Sequence, residues 1–188
     1  MAANPMTETD LRQEQHRIYR SSAAAFLLCA AILGGAHIVL PRLVQLPGPD
    51  LEARLAFWAG ANLFLVVWVM IGVGMVSHGR RHSAEDISGS AYSHPSPKIA
   101  VAVAFLQNTL EQFVLASFAL FALMMLLGAA AMPFIAASVL LFGIGRTTFL
   151  LGYPKGAGGR AFGMAVTTIP TAVAFVLALG ALVNRIWR

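Results

Sequence analysis

Cysteine is almost absent from this chain of 188 residues, in which Cys29 is the only one. No disulfide can form within the chain, so a domain held together by internal disulfides is excluded. Cys29 lies in an apolar run, where a free thiol behaves as a small apolar side chain. We expect it to pack against a neighbouring helix or lipid.

Charge is also scarce. Charged residues make up 11% of the sequence and hydrophobic residues 58%, whereas about a quarter of the residues of a soluble domain are charged. This composition predicts an integral membrane protein. The formal net charge is +5, but the basic residues are spread among loops and segment ends, as is typical of topology signals. We therefore expect contacts with membrane lipids and no nucleic-acid partner.

Alternation of apolar and polar residues is the third feature that is missing. A transmembrane barrel would show short alternating segments, whereas runs such as AVAFVLALGALV are continuously apolar. Several runs approach or exceed the roughly 20 residues with which a helix crosses a bilayer. The predicted fold class is therefore all-α, an integral membrane helical bundle. Its predicted segments are about Ser21–Leu40, Leu55–Val76, Ile99–Leu127, Pro133–Leu151 and Ala161–Val183.

Proline, glycine and polar stretches separate these segments. Pro41 ends the first, and residues 77–98 form the largest polar loop. The third segment would be about 43 Å long at 1.5 Å per residue, so part of it must tilt or protrude beyond a hydrocarbon core of about 30 Å. Pro170 predicts a kink in the fifth segment.

Arginine and lysine counts predict the orientation. With five crossings that begin inside, eight such residues lie on the cytoplasmic side and four outside, in agreement with the positive-inside rule. We expect a cytoplasmic N-terminus and the bacterial inner membrane. A four-crossing alternative leaves Ser21–Leu40 on the membrane surface. The cytoplasmic set is Arg12, Arg17, Arg20, Arg80, Arg81, Lys98, Lys155 and Arg160, and the outer set is Arg42, Arg54, Arg185 and Arg188.

Polar side chains inside the apolar segments collect toward the cytoplasmic side in this topology. A buried arginine such as Arg146 costs roughly 2.5–3.5 kcal/mol on insertion scales, so it needs a partner or a function. Asn108 and Glu111 are three residues apart and lie on one side of the third segment. Tyr153 and Arg160 follow Arg146 on the same side of the membrane.

Two interpretations of these residues remain open. In the first, Arg146 neutralises Glu111 and Asn108 links helices by hydrogen bonds. In the second, they form a pocket for a zwitterionic ligand with several carboxylates. Arginines would bind the carboxylates, Asn108 and Glu111 the amide and ammonium groups, and Tyr153 would donate a hydroxyl hydrogen bond. Arginine near a thiol also stabilises the reactive thiolate.

Three motifs in this order resemble the MAPEG family of membrane glutathione transferases, leukotriene-type synthases and prostaglandin E synthase. They are the basic cluster GRRH, the N-x-x-E motif and an R-x-x-F-x-x-x-Y pattern followed by an arginine. The resemblance covers about Leu55–Val183, or four segments, and leaves the first segment as an N-terminal addition. We therefore divide the chain into residues 1–54, with a polar tail, the extra helix and a loop, and a MAPEG-like four-helix domain, residues 55–188. The motif residues are Arg80, Arg81, Asn108, Glu111, Arg146, Phe149, Tyr153 and Arg160.

The resemblance implies a homotrimer with glutathione between neighbouring subunits at the cytoplasmic side, conjugating or reducing lipophilic electrophiles. It implies that Asn108 and Glu111 contact the peptide, that Tyr153 contacts the ligand backbone and that Arg160 contacts the thiolate. Arg146 would belong to the same glutathione site. Arg80 or Arg81 would lie near its entrance.

Three positions depart from the family pattern. Ala104 stands where an arginine is expected, and Phe149 and Gln112 stand where tyrosines are expected. These departures support a second hypothesis, a noncatalytic subunit that uses the extra helix to dock on a larger membrane complex. We predict no metal site, because His78 and His82 lack a third ligand at diagnostic spacing.

Overall fold

Five long helices account for most of residues 7–92 and 94–187. The computed structural model describes residues 7–92 and 94–187, so Arg188, which we used to predict the orientation, lies outside the described residues. No strand occurs in the described part, and the predicted all-α class is confirmed. Two 3-10 turns, Gly128–Ala131 and Tyr153–Lys155, connect the last three helices. The helices are α1 (Glu8–Leu43), α2 (Leu51–Arg81), α3 (Pro97–Leu127), α4 (Met132–Gly152) and α5 (Gly156–Ile186).

The helices suit a bilayer by length and composition. Within the described part of the chain, three helical stretches are long and apolar enough to cross a membrane: α1, α2 and the 90 residues of Pro97–Ile186. A straight helix of that last length would measure about 135 Å. Instead α4 packs against α5, and α5 against α3, so the stretch folds back into the three helices that the sequence predicts.

Local signals determine where α1 begins and ends. Thr7 and Asp10 form a reciprocal capping box, which satisfies backbone N–H groups that have no helical partner. The polar segment before Ser21 is therefore helical from Glu8 onward. Pro41 lies inside the last turn and does not end the helix, which continues to Leu43. Proline has no backbone N–H, so the helix lacks one hydrogen bond at this position.

The additional helix α1 lies beside α5 and runs parallel to it. The Ser21 hydroxyl donates to the Gly158 carbonyl at 3.4 Å, and the Cys29 thiol contacts the Val166 carbonyl at 3.8 Å. Both contacts join residues 137 positions apart, so the two helices advance together in the same direction. This arrangement favours α1 as a crossing helix over the surface-lying alternative.

Close packing between α4 and α5 depends on glycine. A Cβ atom at Gly163 would collide with the backbone nitrogen of Phe149 and would lie 2.5 Å from the Gly145 carbonyl oxygen. Glycine at both positions therefore lets the two backbones approach each other, as small residues do at membrane helix interfaces. This contact places α5 directly beside Arg146.

Candidate functional site

Arg146 is completely buried and links three helices. Its side chain has 0% exposure. Nη1 donates to the Asn108 Oδ1 atom of α3 at 2.7 Å, and Nε and Nη2 donate to the Thr167 hydroxyl oxygen of α5 at 3.1 and 2.8 Å. The Thr167 hydroxyl donates its own hydrogen to the Gly163 carbonyl at 2.9 Å, which leaves its lone pairs for the guanidinium.

Aromatic rings complete the surroundings of Arg146. Its guanidinium carbon lies 4.8 Å from the centre of the Phe149 ring and 5.7 Å from that of Phe142. Ring faces attract cations, most strongly where water is excluded. The charge is thus stabilised by neutral oxygens and rings, although no carboxylate pairs with it among the described residues.

Glu111 is not the partner of Arg146. Its side chain is exposed on α3 and accepts a hydrogen bond from Gln107 Nε2 at 3.3 Å. The first of the two interpretations is therefore correct in part. Asn108 does link helices by a hydrogen bond, but the predicted pairing of Arg146 with Glu111 is wrong. The two α3 residues lie roughly 60° apart around the helix, and only Asn108 contacts α4.

A cavity of about 330 Å³ opens beside this network, between α1, α3, the end of α4 and the beginning of α5. Arg160 is half-buried in its wall, and its guanidinium carbon lies 4.7 Å from the centre of the Tyr153 ring. Among residues 7–92 and 94–187, no hydrogen-bond acceptor contacts this guanidinium. The lining residues are Ile18, Ala104, Asn108, Phe149, Tyr153, Ala157, Arg160, Ala161 and Met164.

The cavity has a cationic side chain, a phenol and an amide within an otherwise apolar wall. The Tyr153 ring meets the Phe149 ring edge-on, with centroids 5.5 Å apart, and this contact positions the ring that supports Arg160. Because Asn108 Oδ1 accepts from Arg146, the amide NH₂ group remains as a donor. Such a set can bind a carboxylate or thiolate together with a peptide carbonyl.

The structure brings only some of the predicted site residues together. Asn108, Tyr153 and Arg160 line the cavity, and Arg146 contacts it through Asn108. The other predicted residues do not line this cavity, and their roles remain predictions. Glu111 lies on the exposed surface of α3, Arg80 donates to the Ser90 hydroxyl at 3.2 Å, and Arg81 is exposed at the end of α2.

Sequence reasoning missed two residues here. Thr167 supplies the main acceptor for Arg146, and Ile18 brings α1 into the cavity wall. A threonine four residues after Gly163 in an apolar helix was a signal for a close interhelical contact. Nothing in the linear sequence identified Arg146 as its partner.

Hydrogen bonds to the carboxylate of Asp86 fix the loop that follows α2. Asp86 is 2% exposed and accepts hydrogen bonds from the Ser83 hydroxyl and from the Ser96 backbone N–H and hydroxyl, the last two at 2.9 and 2.6 Å. These hydrogen bonds, led by that from Ser83, lower the pKa of Asp86 below its ordinary value of 3.8, and the nearby Arg80 charge adds to the effect. The loop is therefore tied down by an ionised carboxylate.

Comparison with known proteins identifies one family. A sequence model of the MAPEG family matches residues 55–180, from the first turns of α2 to near the end of α5. The match includes Asn108, Tyr153 and Arg160, and it leaves α1 outside. Searches of curated proteins and of solved structures found no match.

Proposed function

The chain belongs to the MAPEG family, and on that premise we propose that it is a membrane glutathione transferase or peroxidase that acts on lipophilic electrophiles. The observation that carries this proposal is the cavity in which Asn108, Tyr153 and Arg160 meet. Its volume of about 330 Å³ lies in the usual range of small-ligand sites.

The residues of the cavity fit the chemistry of glutathione, which has two carboxylates, an ammonium group, two amides and a thiol. Arg160 offers charged donors, and Tyr153 offers a hydroxyl group. Asn108 offers an amide NH₂ group that its bond to Arg146 holds in place. In this proposal Arg146 is a positioning residue, because it acts through Asn108.

Arg160 has the central role in the proposed reaction. A guanidinium beside the bound thiol lowers the pKa of that thiol and increases the thiolate fraction. The thiolate sulfur forms a bond to an electrophilic carbon, and the displaced electron pair departs with the leaving group. Ile18 and Met164 supply apolar wall against which a membrane-soluble acceptor can pack.

A homotrimer forms the second part of the proposal. Glu111 and Gln107 are exposed on α3, and polar groups within the membrane need protein partners or water. A neighbouring subunit that covers this surface would bring Glu111 toward the ammonium group of a shared ligand, with Arg80 or Arg81 near the entrance. The proposed orientation has a cytoplasmic N-terminus in a bacterial inner membrane.

Steady-state conjugation of glutathione to a chloronitrobenzene tests this function in protein reconstituted in lipid. Arg160→Ala should lower kcat/KM about a hundredfold, because an adjacent opposite charge shifts a pKa by about two on a logarithmic scale. In the Arg160→Ala variant, the increase of the rate with pH should occur at higher pH than in the wild type. Arg160→Lys should restore part of the rate.

Arg185→Ala is the matched control, because Arg185 is exposed in the last turn of the same helix, α5. It should leave the rate unchanged. A reconstituted wild-type protein without conjugating or peroxide-reducing activity would contradict the proposed function, and so would full activity of Arg160→Ala.

The cavity wall also favours a second candidate, a noncatalytic accessory subunit of a larger membrane complex. Ala104 and Phe149, which replace expected arginine and tyrosine residues, both line the cavity and offer no polar side-chain contact. The additional helix α1 provides docking surface outside the family match. A stable partner that co-purifies with an inactive protein would support this candidate, and an active isolated trimer would exclude it.

A further inference from the structure

A second and larger cavity lies between α1 and the beginning of α5. Its volume is about 590 Å³, and it shares no lining residue with the Arg160 cavity. Arg17 and Arg20 of α1 and Lys155 of the preceding turn contribute three cationic side chains. Ala24 and Phe162 form an apolar part of the wall.

Glycine and glutamate bring the basic side chains together. The Gly158 backbone N–H donates to Glu14 Oε1 at 2.9 Å, which attaches α1 to the start of α5. A Cβ atom at Gly158 would lie 2.7 Å from the Cβ of Arg17, so glycine lets the arginine-bearing turn approach. The backbone segments that carry the cationic side chains thus lie close together at this contact.

The cavity has an excess of positive charge. Glu14 lies 3.7 Å from Arg17 and partly balances it. Among the described residues, no carboxylate forms an ion pair with Arg20 or Lys155. Two uncompensated cations in one concave site attract a phosphate or another anion more strongly than isolated surface charges do.

The position of the cavity indicates the kind of anion. Arg17 and Arg20 immediately precede the apolar part of α1 that begins near Ser21, and the apolar residues Ala24 and Phe162 adjoin them. The cavity therefore lies where a basic surface meets the membrane-crossing part of the bundle. Basic pockets between membrane helices on the cytoplasmic side suit anionic lipid headgroups.

We propose that the cavity between α1 and α5 binds the phosphate group of an anionic phospholipid. Arg20 and Lys155 contact the phosphate, and Ala24 and Phe162 pack against the first carbons of an acyl chain. A soluble phosphate could make the same contacts with Arg20 and Lys155, but it has no acyl chain to pack against Ala24 and Phe162. This proposal does not depend on glutathione chemistry, since the two cavities have separate walls.

Native mass spectrometry of the full-length protein can test the site, by titration with short-chain phosphatidylglycerol and with phosphatidylcholine. The wild type should bind phosphatidylglycerol more tightly. The double variant Arg20→Gln/Lys155→Gln should weaken this binding about 30-fold, or about 2 kcal/mol, because each basic residue near a lipid surface contributes about 1 kcal/mol. Both side chains are exposed, so we expect the variant to fold.

Arg12→Gln/Arg185→Gln is the matched control, since it removes two exposed charges that do not line the cavity. It should bind phosphatidylglycerol like the wild type. Arg20→Gln alone should show about a fivefold loss. Equal affinity for the two lipids, or unchanged binding by the double variant, would overturn the proposal.

Inorganic phosphate distinguishes a lipid from a soluble ligand. We expect it to bind at least tenfold more weakly than phosphatidylglycerol, because it makes no apolar contact. Phe162→Ala should weaken lipid binding and leave phosphate binding unchanged. Equal affinities of inorganic phosphate and phosphatidylglycerol would overturn the lipid assignment.

Discussion

Two arginines on the same helical hairpin have opposite surroundings. Arg146 on α4 has no exposure, and its three nitrogens donate to Asn108 and Thr167. Arg160 on α5 is half-buried against the Tyr153 ring, with no hydrogen-bond acceptor in the described part of the chain. The first therefore links three helices, whereas the donors of the second have no acceptor among the described residues, and we propose that they bind an anionic ligand.

Backbone spacing explains this difference. At Arg146, Gly145 and Gly163 let α4 and α5 come close enough for Thr167 to reach the guanidinium. At Arg160 the chain has only just begun α5, and the side chain lines a cavity whose wall also includes Ile18 of α1. The close helix contact at the glycines leaves no empty space around Arg146, whereas Arg160 lies beside a cavity.

Substitution of the buried arginine, Arg146, should cause the largest loss of stability. Arg146→Ala should lower the free energy of unfolding by about 3 to 5 kcal/mol, because it leaves a cavity and removes the partner of two polar groups. Unfolding in mixed detergent micelles measures this change. Arg160→Ala is the control and should alter stability little. Equal losses in the two variants would show that the arginines do not differ in role.

The glycine contact that creates the difference can be tested within α5. Gly163→Ala should destabilise the protein by about 3 kcal/mol, because its methyl group would collide with the α4 backbone and force the helices apart. Gly180→Ala is the matched control, since nothing lies within 4 Å of a Cβ there. The same unfolding assay applies, and a neutral Gly163→Ala would refute the close-packing argument.

Thr167→Val tests whether the Thr167 hydroxyl is the hydrogen-bond acceptor that stabilises Arg146. The substitution conserves shape but removes the acceptor of two guanidinium hydrogen bonds, so we expect a loss of about 2 kcal/mol. Thr167→Ser keeps the hydroxyl and should retain most of the stability. If serine and valine were equally destabilising, packing and not hydrogen bonding would explain the role of Thr167.

The smallest effect concerns a charge outside the hairpin. The pKa of Asp86 is lowered in the folded protein by its hydrogen bonds, so its stabilisation is present above the ordinary value of 3.8 and is lost as the pH falls through the folded value. The protection factors for hydrogen exchange of residues 83–92, which correct for the intrinsic dependence of exchange on pH, should therefore fall below about pH 4. Asp86→Asn should exchange faster at neutral pH and lose this acid dependence, and an unchanged profile would contradict the assignment.

The sequence predicted where the helices lie along the chain better than which side of each helix faces its neighbours. Apolar run length located all five helices, because a bilayer demands about 20 apolar residues regardless of neighbours. It did not show that Asn108 faces α4 while Glu111 faces outward, because helix rotation depends on packing. Thr167 and Ile18 escaped prediction for the same reason, since each joins the site through a contact between distant segments.

Calorimetric titration of glutathione into the purified protein tests directly whether the donors of Arg160 bind this ligand. The wild type should bind, Arg185→Ala should bind equally well, and Arg160→Ala should bind about 10- to 100-fold more weakly, as expected for a lost hydrogen bond to a charged group. A folded wild type that does not bind glutathione, or an Arg160→Ala variant that binds it with unchanged affinity, would contradict this role of Arg160.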